Sequence, residues 1–129
     1  MNFDKVRLAC RKRGVKYDGK CYNSVRFHNT NETLTHFMAK ARICKHLFDK
    51  GHSFFTEFAF KNSVADIYDI DADFVIEIQG DMSLAAVTKK QEQFKGHELW
   101  LLPLSDFEKD FEGALGKWLK RMGLHGFLF

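Results

Sequence analysis

The sequence has a single proline, Pro103, and no apolar run that approaches the ~18 residues of a membrane span. Nine glycines in 129 residues, with so little proline, argue against a low-complexity or disordered chain. The opening MNFDKVRLACRKRG lacks the apolar centre of a signal peptide, so the expectation is an intracellular protein, in the cytoplasm or in a host cell if the source is viral. Cysteine is scarce and odd in number. Cys10, Cys21 and Cys44 show no C-x-x-C spacing, which argues for reduced thiols rather than a disulfide framework. Cys10, Cys21 and His28 match no standard zinc spacing and offer no evident fourth ligand. Charge of one sign is also in short supply: a formal net charge of +3 permits a polyanionic partner without demanding one.

What is present is apolar and aromatic. A hydrophobic fraction of 45% with 14 phenylalanines is ample for one core, and the length predicts one domain over 1–129. Residues 1–30 form a basic N-terminal segment, with Lys5, Arg7, Arg11, Lys12, Arg13, Lys16, Lys20 and Arg26 interleaved with Tyr17, Tyr22 and Phe27. A helix over about 2–13 or a short hairpin fits it, with a turn signal at Asp18-Gly19. Arg11, Lys12 and Arg13 are candidates for a phosphate-binding arm, and a solvated basic surface is the alternative.

The spacing predicts a helix over 31–50, with Leu34, Phe37, Ala41, Cys44 and Phe48 on one apolar face. Asn31 or Thr30 would cap it, Glu32 would sit in its first turn, and Gly51 would end it. His36 and His46 receive no chemistry, because isolated helical histidines are usually surface residues. A second helix is expected over about 83–95, with Leu84, Val87, Gln91 and Phe94 on one side and Lys90 bordering it; Lys89 reads as a solvated face or a phosphate contact. A third is expected over about 106–122, capped by Ser105 in an S-x-x-E box, with Phe107, Phe111, Leu115, Trp118 and Leu119 as its stripe.

Between the first two helices lies FFTEFAFKNSVADIYDIDADFVIEIQ, residues 54–79. It reads as three strands. Strict alternation puts Phe54, Phe58 and Phe60 on one face of the first, opposite Phe55, Glu57 and Ala59. Asp66 lies in the second strand. Glu77 and Gln79 share a face of the third with Val75, opposite Phe74, Ile76 and Ile78. Both faces are apolar around Glu77, the pattern of a covered strand, and an unpaired carboxylate there is costly. Three acids converging on neighbouring strands would repel one another, and a divalent ion that prefers oxygen ligands, Mg²⁺ or Mn²⁺, would relieve that. Asp69, Asp71 and Asp73 alternate as in a calcium loop, but Phe74 stands where the loop needs glycine, so they read as exposed turn residues. His97 to Leu104 is a fourth buried strand.

Asp66 followed by Glu77-Ile78-Gln79 resembles the PD-(D/E)xK nuclease superfamily, in its E-x-Q variant, over roughly residues 32–104. The resemblance implies an α/β fold with a restriction-endonuclease-like core, a central mixed sheet flanked by helices. It implies a metal-dependent DNA endonuclease that hydrolyses phosphodiester bonds in repair, recombination or mobile-element or viral DNA processing. Asp66, Glu77 and Glu57 would ligate Mg²⁺ or Mn²⁺, with Glu32 as an accessory acid. Gln79 stands where the motif usually has lysine; it would orient the attacking or metal-bound water, and Lys90 or Gln91 would stand in for the missing lysine. The alternative is a catalytically inactive nucleic-acid-binding module on the same fold, or a plain α/β interaction protein. Phe127 and Phe129 near the C-terminus either fold back or cover a second subunit in a homodimer.

Overall fold

The computed structural model describes residues 3–29, 31–61 and 63–124. The chain is mixed α/β. Helix α1 (Phe3–Arg13) and α2 (Leu34–Asp49) precede the strands β1 (Phe54–Ala59), β2 (Val64–Asp69) and β3 (Phe74–Gln79). Then come α3 (Leu84–Gln93), β4 (Glu98–Pro103), α4 (Leu104–Lys109) and α5 (Phe111–Leu124). The four strands form one sheet in the order β1-β2-β3-β4. The first two junctions are antiparallel and β3 pairs with β4 in parallel, so α3 is the crossover. No described helix is long and apolar enough to cross a membrane. Phe127 and Phe129 lie outside the described residues.

Two apolar clusters cover the two faces of the sheet. On one face α2, α4 and α5 pack Ile43, Leu47, Phe107, Leu115, Trp118 and Met122 against Phe54, Ile67, Ile76, Ile78 and Leu102. On the other, Val6 and Cys10 of α1 and Phe94 after α3 pack against Phe55, Phe58, Ala65, Tyr68 and Val75. Each large side chain so buried contributes about 1.5–3 kcal/mol. The cysteines are inert parts of this packing: all three are buried and unpaired, and burial raises the thiol pKa of each.

The alternation read for β3 holds, since Phe74, Ile76 and Ile78 join one cluster and Val75 the other. For β1 it breaks. Phe54 belongs to the α2 side, but Phe55, Phe58 and Phe60 lie together on the opposite side. The cause is Glu57, whose φ of 49° lies in the left-handed region inside a strand. That twist turns Glu57 and Phe58 to faces that strict alternation would not give them.

The helices also correct the expected boundaries. α2 starts at Leu34, and its cap is Thr33, whose hydroxyl accepts the His36 N–H at 3.2 Å. Glu32 thus precedes the helix. The buried stripe is Ala39, Lys40, Ile43, Cys44 and Leu47, whereas Leu34 and Phe48 are exposed. The C-terminal helix is two helices. Asp110 breaks it with an extended backbone (φ −154°, ψ 90°), and its carboxylate then accepts the Gly113 N–H at 3.1 Å. Ser105 is not the cap, because Pro103 occupies the N-cap position of α4.

Candidate functional site

Glu57 lies in the middle of β1, Asp66 on β2 and Glu77 on β3, on three adjacent strands. The β2–β3 ladder runs from Asp69↔Phe74 to Ile67↔Ile76 and goes no further. Beyond it side chains replace the backbone pairs. The Glu77 carboxylate accepts the Asp66 N–H at 2.6 Å, and the Asp66 carboxylate accepts the Ile78 N–H at 2.8 Å. The two strands are splayed there, and each acid satisfies a backbone donor that the broken ladder leaves open.

Two cations flank the splay. Lys90 Nζ, from α3, donates to Glu77 Oε1 at 2.8 Å. His36, from α2, has its Nε2 3.2 Å from Asp66 Oδ2 and 3.0 Å from the Ile78 carbonyl, and its Nδ1 on Glu32 Oε2. Both ring nitrogens face acceptors only, so both carry protons and the ring is imidazolium. Burial opposes that charge, but Asp66 and Glu32 prevail and raise the His36 pKa to about 9. Burial also acts on Asp66, yet His36 and the Ile78 N–H hold its pKa below the ordinary value. Glu77 goes the other way: burial first, and the neighbouring Asp66 charge second, raise its pKa to about 8, against the pull of Lys90. With its pKa near 8, Glu77 carries the proton of this acid pair at neutral pH, while Asp66 stays ionised beside His36.

A second layer lies behind Asp66. Lys40 is fully buried; its Nζ donates to Glu32 Oε2 at 2.9 Å, to Glu57 Oε2 at 3.2 Å and to the Arg26 carbonyl. Glu57 Oε1 is 2.5 Å from His28 Nδ1, and Glu32 Oε1 accepts the His28 N–H at 2.9 Å. His28, Glu57 and Asp66 each bring a ligand atom within 4.8 Å of the others. A surface pocket of about 220 Å³ lies beside His28 and is lined by His28, Asn29, Asn31, Glu32, Thr33, His36 and Leu104.

The expected site residues therefore fare differently. Asp66, Glu77, Glu57, Glu32 and Lys90 come together. Gln79 does not: its amide donates to the Asp81 carbonyl at 2.5 Å, and its Oε1 is buried without a partner. Gln91 and Lys89 are exposed on α3, and it is Lys90 of that turn that reaches Glu77. Arg13 is occupied at the other end of the strands, where it donates to the Asp71 carbonyl and stands 3.7 Å from Asp73. Arg11 and Lys12 are exposed beside it on α1, which covers the face away from α2. Asp69 is not an exposed turn residue but fully buried, 2.6 Å from His52 Nδ1. His36, His28 and Lys40 are the residues that sequence reasoning missed. The signal for two of them was the spacing Glu32-x₃-His36-x₃-Lys40, which stacks three polar groups on one line of α2 and its approach.

The pH dependence of stability without added metal follows. His36 is charged more readily folded than unfolded, so its contribution is complete below about 6.5 and is lost as pH rises through about 9. Glu77 holds its proton more tightly folded than unfolded, so its contribution falls between about 4.5 and 8. Both slopes are downward. Denaturant midpoints in EDTA are expected to decline from pH 6.5 to 9, and Glu77→Gln to flatten the part below pH 8. A midpoint that rises over that range, or a Glu77→Gln curve parallel to the parent, contradicts these assignments.

Comparison with protein-family models, with curated proteins and with solved structures finds no match for this chain.

Proposed function

We propose that this chain is a metal-dependent DNA nuclease with a restriction-endonuclease-like core, its site built on Asp66 and Glu77. The observation that carries the reading is the lysine. The motif lacks lysine two residues after its second acid, and Lys90 Nζ lies 2.8 Å from Glu77 Oε1, supplied from the next helix. The strand order supports it as well, with a helix before three antiparallel strands and a helix before the parallel fourth. The donor set suits a hard cation in that it is all oxygen, the Asp66 and Glu77 carboxylates and the Ile78 carbonyl, from which His36 would have to withdraw its N–H. Asp66, Glu77 and the Ile78 carbonyl would hold Mg²⁺ or Mn²⁺, with Glu57 completing the set beyond Asp66.

A bound ion of this kind lowers the pKa of water and offsets charge on the scissile phosphate. The chain's own groups do the rest. Glu32 orients His36 through Nδ1, and His36 fixes the Asp66 carboxylate and balances its charge. Lys90, released from Glu77, puts an ammonium where phosphate charge develops. Lys90→Ala is expected to lower the cleavage rate by about 10²-fold, the scale of losing one electrostatic stabiliser. Gln79→Lys is expected to restore part of that loss. The assignment fails if Lys90→Ala cuts DNA like the parent while Gln79→Ala is inactive.

A second reading has its own observation. Each of the four acids is satisfied inside the protein, Glu57 and Glu32 by Lys40, Asp66 by His36, and Glu77 by Lys90. An inactive nucleic-acid-binding module would keep such acids as structural braces. It binds no Mn²⁺ at these residues, so a Mn²⁺ titration of the parent against Asp66→Asn separates the two readings.

A further inference from the structure

The segment 26–28 is pinned to the acid cluster on both sides of Phe27. The Arg26 N–H donates to Thr56 Oγ1 at 3.0 Å, its carbonyl accepts Lys40 Nζ, and the His28 N–H donates to Glu32 Oε1 at 2.9 Å. Phe27 between them is 71% exposed. Its ring lies on Phe37 of α2, with centroids 4.4 Å apart and an interplanar angle of 22°. An outer phenyl ring is thus backed by an inner one and held in water by three hydrogen bonds on its neighbours. His28, the next residue, lines the pocket that opens on His36 and is 2.5 Å from Glu57. Arg26, the preceding residue, is exposed beside it, and the side chains of Asn29 and Asn31 border the pocket.

We propose that the Phe27–Phe37 stack is a platform for one unpaired nucleobase of the bound strand, beside the pocket lined by His28, Glu32 and His36, so that the substrate is single-stranded or locally unpaired DNA. This rests on the nuclease reading for the chemistry but not for the binding. Every base offers a π face, and a pre-positioned aromatic ring takes it without reading sequence. In continuous duplex both faces of each base are already covered by its neighbours. The exposed guanidinium of Arg26 supplies charge for the backbone phosphate next to the stacked base. An apolar protein segment would use the ring but not the flanking arginine and asparagines.

The test uses the full chain in EDTA, titrated with a single-stranded oligonucleotide that carries 2-aminopurine, and with the same sequence as a blunt duplex. The parent is expected to bind the single strand and quench the fluorescence. Phe27→Ala is expected to weaken that binding about 5- to 100-fold, with a much smaller loss on the duplex. Phe27→Trp should preserve quenching, whereas Phe27→Leu, which keeps an apolar side chain without a ring, should behave like Phe27→Ala. The proposal is overturned if the parent does not bind the single strand, if Phe27→Leu matches the parent, or if single strand and duplex lose equally. A Phe27→Ala chain that changes sedimentation from dimer to monomer also overturns it, in favour of a second copy on the ring. Quenching that depends on Phe27, with no cleavage by the parent in Mg²⁺ or Mn²⁺, sinks the nuclease reading and leaves the platform. Metal-dependent cleavage that is indifferent to Phe27 on every substrate does the reverse.

Discussion

Lys40→Met is expected to destabilise the protein by about 3–5 kcal/mol, the cost of stranding buried charge by removing one partner. Lys40 is fully buried, and the side chains of Glu32 and Glu57 are 1% and 9% exposed. Methionine fills most of the volume, so loss of packing is a small part of the effect. What it leaves are two carboxylates and the Arg26 carbonyl facing an apolar side chain. The same change loosens the segment that carries His28, since the Arg26 carbonyl is one of its anchors. Guanidinium titration of the parent and Lys40→Met gives the difference from the midpoints at equal slope. Adding Glu32→Gln and Glu57→Gln to Lys40→Met should recover a large part of the loss, because the stranded charges are then gone. A Lys40→Met midpoint within about 1 kcal/mol of the parent would mean that water reaches these carboxylates, contrary to the buried lattice described above.

Asp66→Asn is expected to lower metal-dependent cleavage by at least ~10²-fold while keeping the fold. The asparagine amide oxygen still accepts the Ile78 N–H, so the splay of β2 from β3 survives. The negative charge does not survive, and with it would go a principal ligand of the proposed ion. A second readout accompanies the rate. The Asp66 charge is one reason the Glu77 pKa stands near 8, so in Asp66→Asn the Glu77 titration moves down. A purely structural role for Asp66 would shift Glu77 in the same way but leave any DNA cleavage untouched.

The order of elements and the mixed sheet were legible in the sequence because they rest on long apolar patterns. FVIEIQ alternates cleanly, and Val75 and Ile76 fall on the faces that alternation assigns. FFTEFAF alternates just as cleanly and misleads, because one left-handed residue, Glu57, reverses the strand's parity. No composition rule flags a glutamate at positive φ. The buried face of α2 was misplaced for a related reason. Hydrophobic periodicity counts lysine as solvent-facing, so the stripe containing Lys40 lost to the neighbouring one containing Leu34 and Phe48, which are exposed. Only Glu32 and Glu57, far apart in the chain, make a buried Lys40 tolerable, and that is tertiary information. His36 was passed over as an isolated histidine; in the fold it joins Glu32 to Asp66, which lies 30 positions beyond it in the chain. Asp66 and Glu77 were legible because a carboxylate within an apolar strand is costly enough to need a reason.

The central claim is tested most directly by incubating supercoiled plasmid and a single-stranded circle with the purified chain in Mg²⁺, Mn²⁺ or EDTA, beside Glu77→Gln. In that variant the new amide oxygen can still accept the Asp66 N–H, so the comparison separates charge from architecture. The account predicts nicking or cleavage by the parent with either metal, none in EDTA, and a loss of at least ~10²-fold in Glu77→Gln. Cleavage that persists in EDTA, or that Glu77→Gln carries out at the parent's rate, would contradict it, as would a parent that leaves both DNAs intact in Mg²⁺ and Mn²⁺.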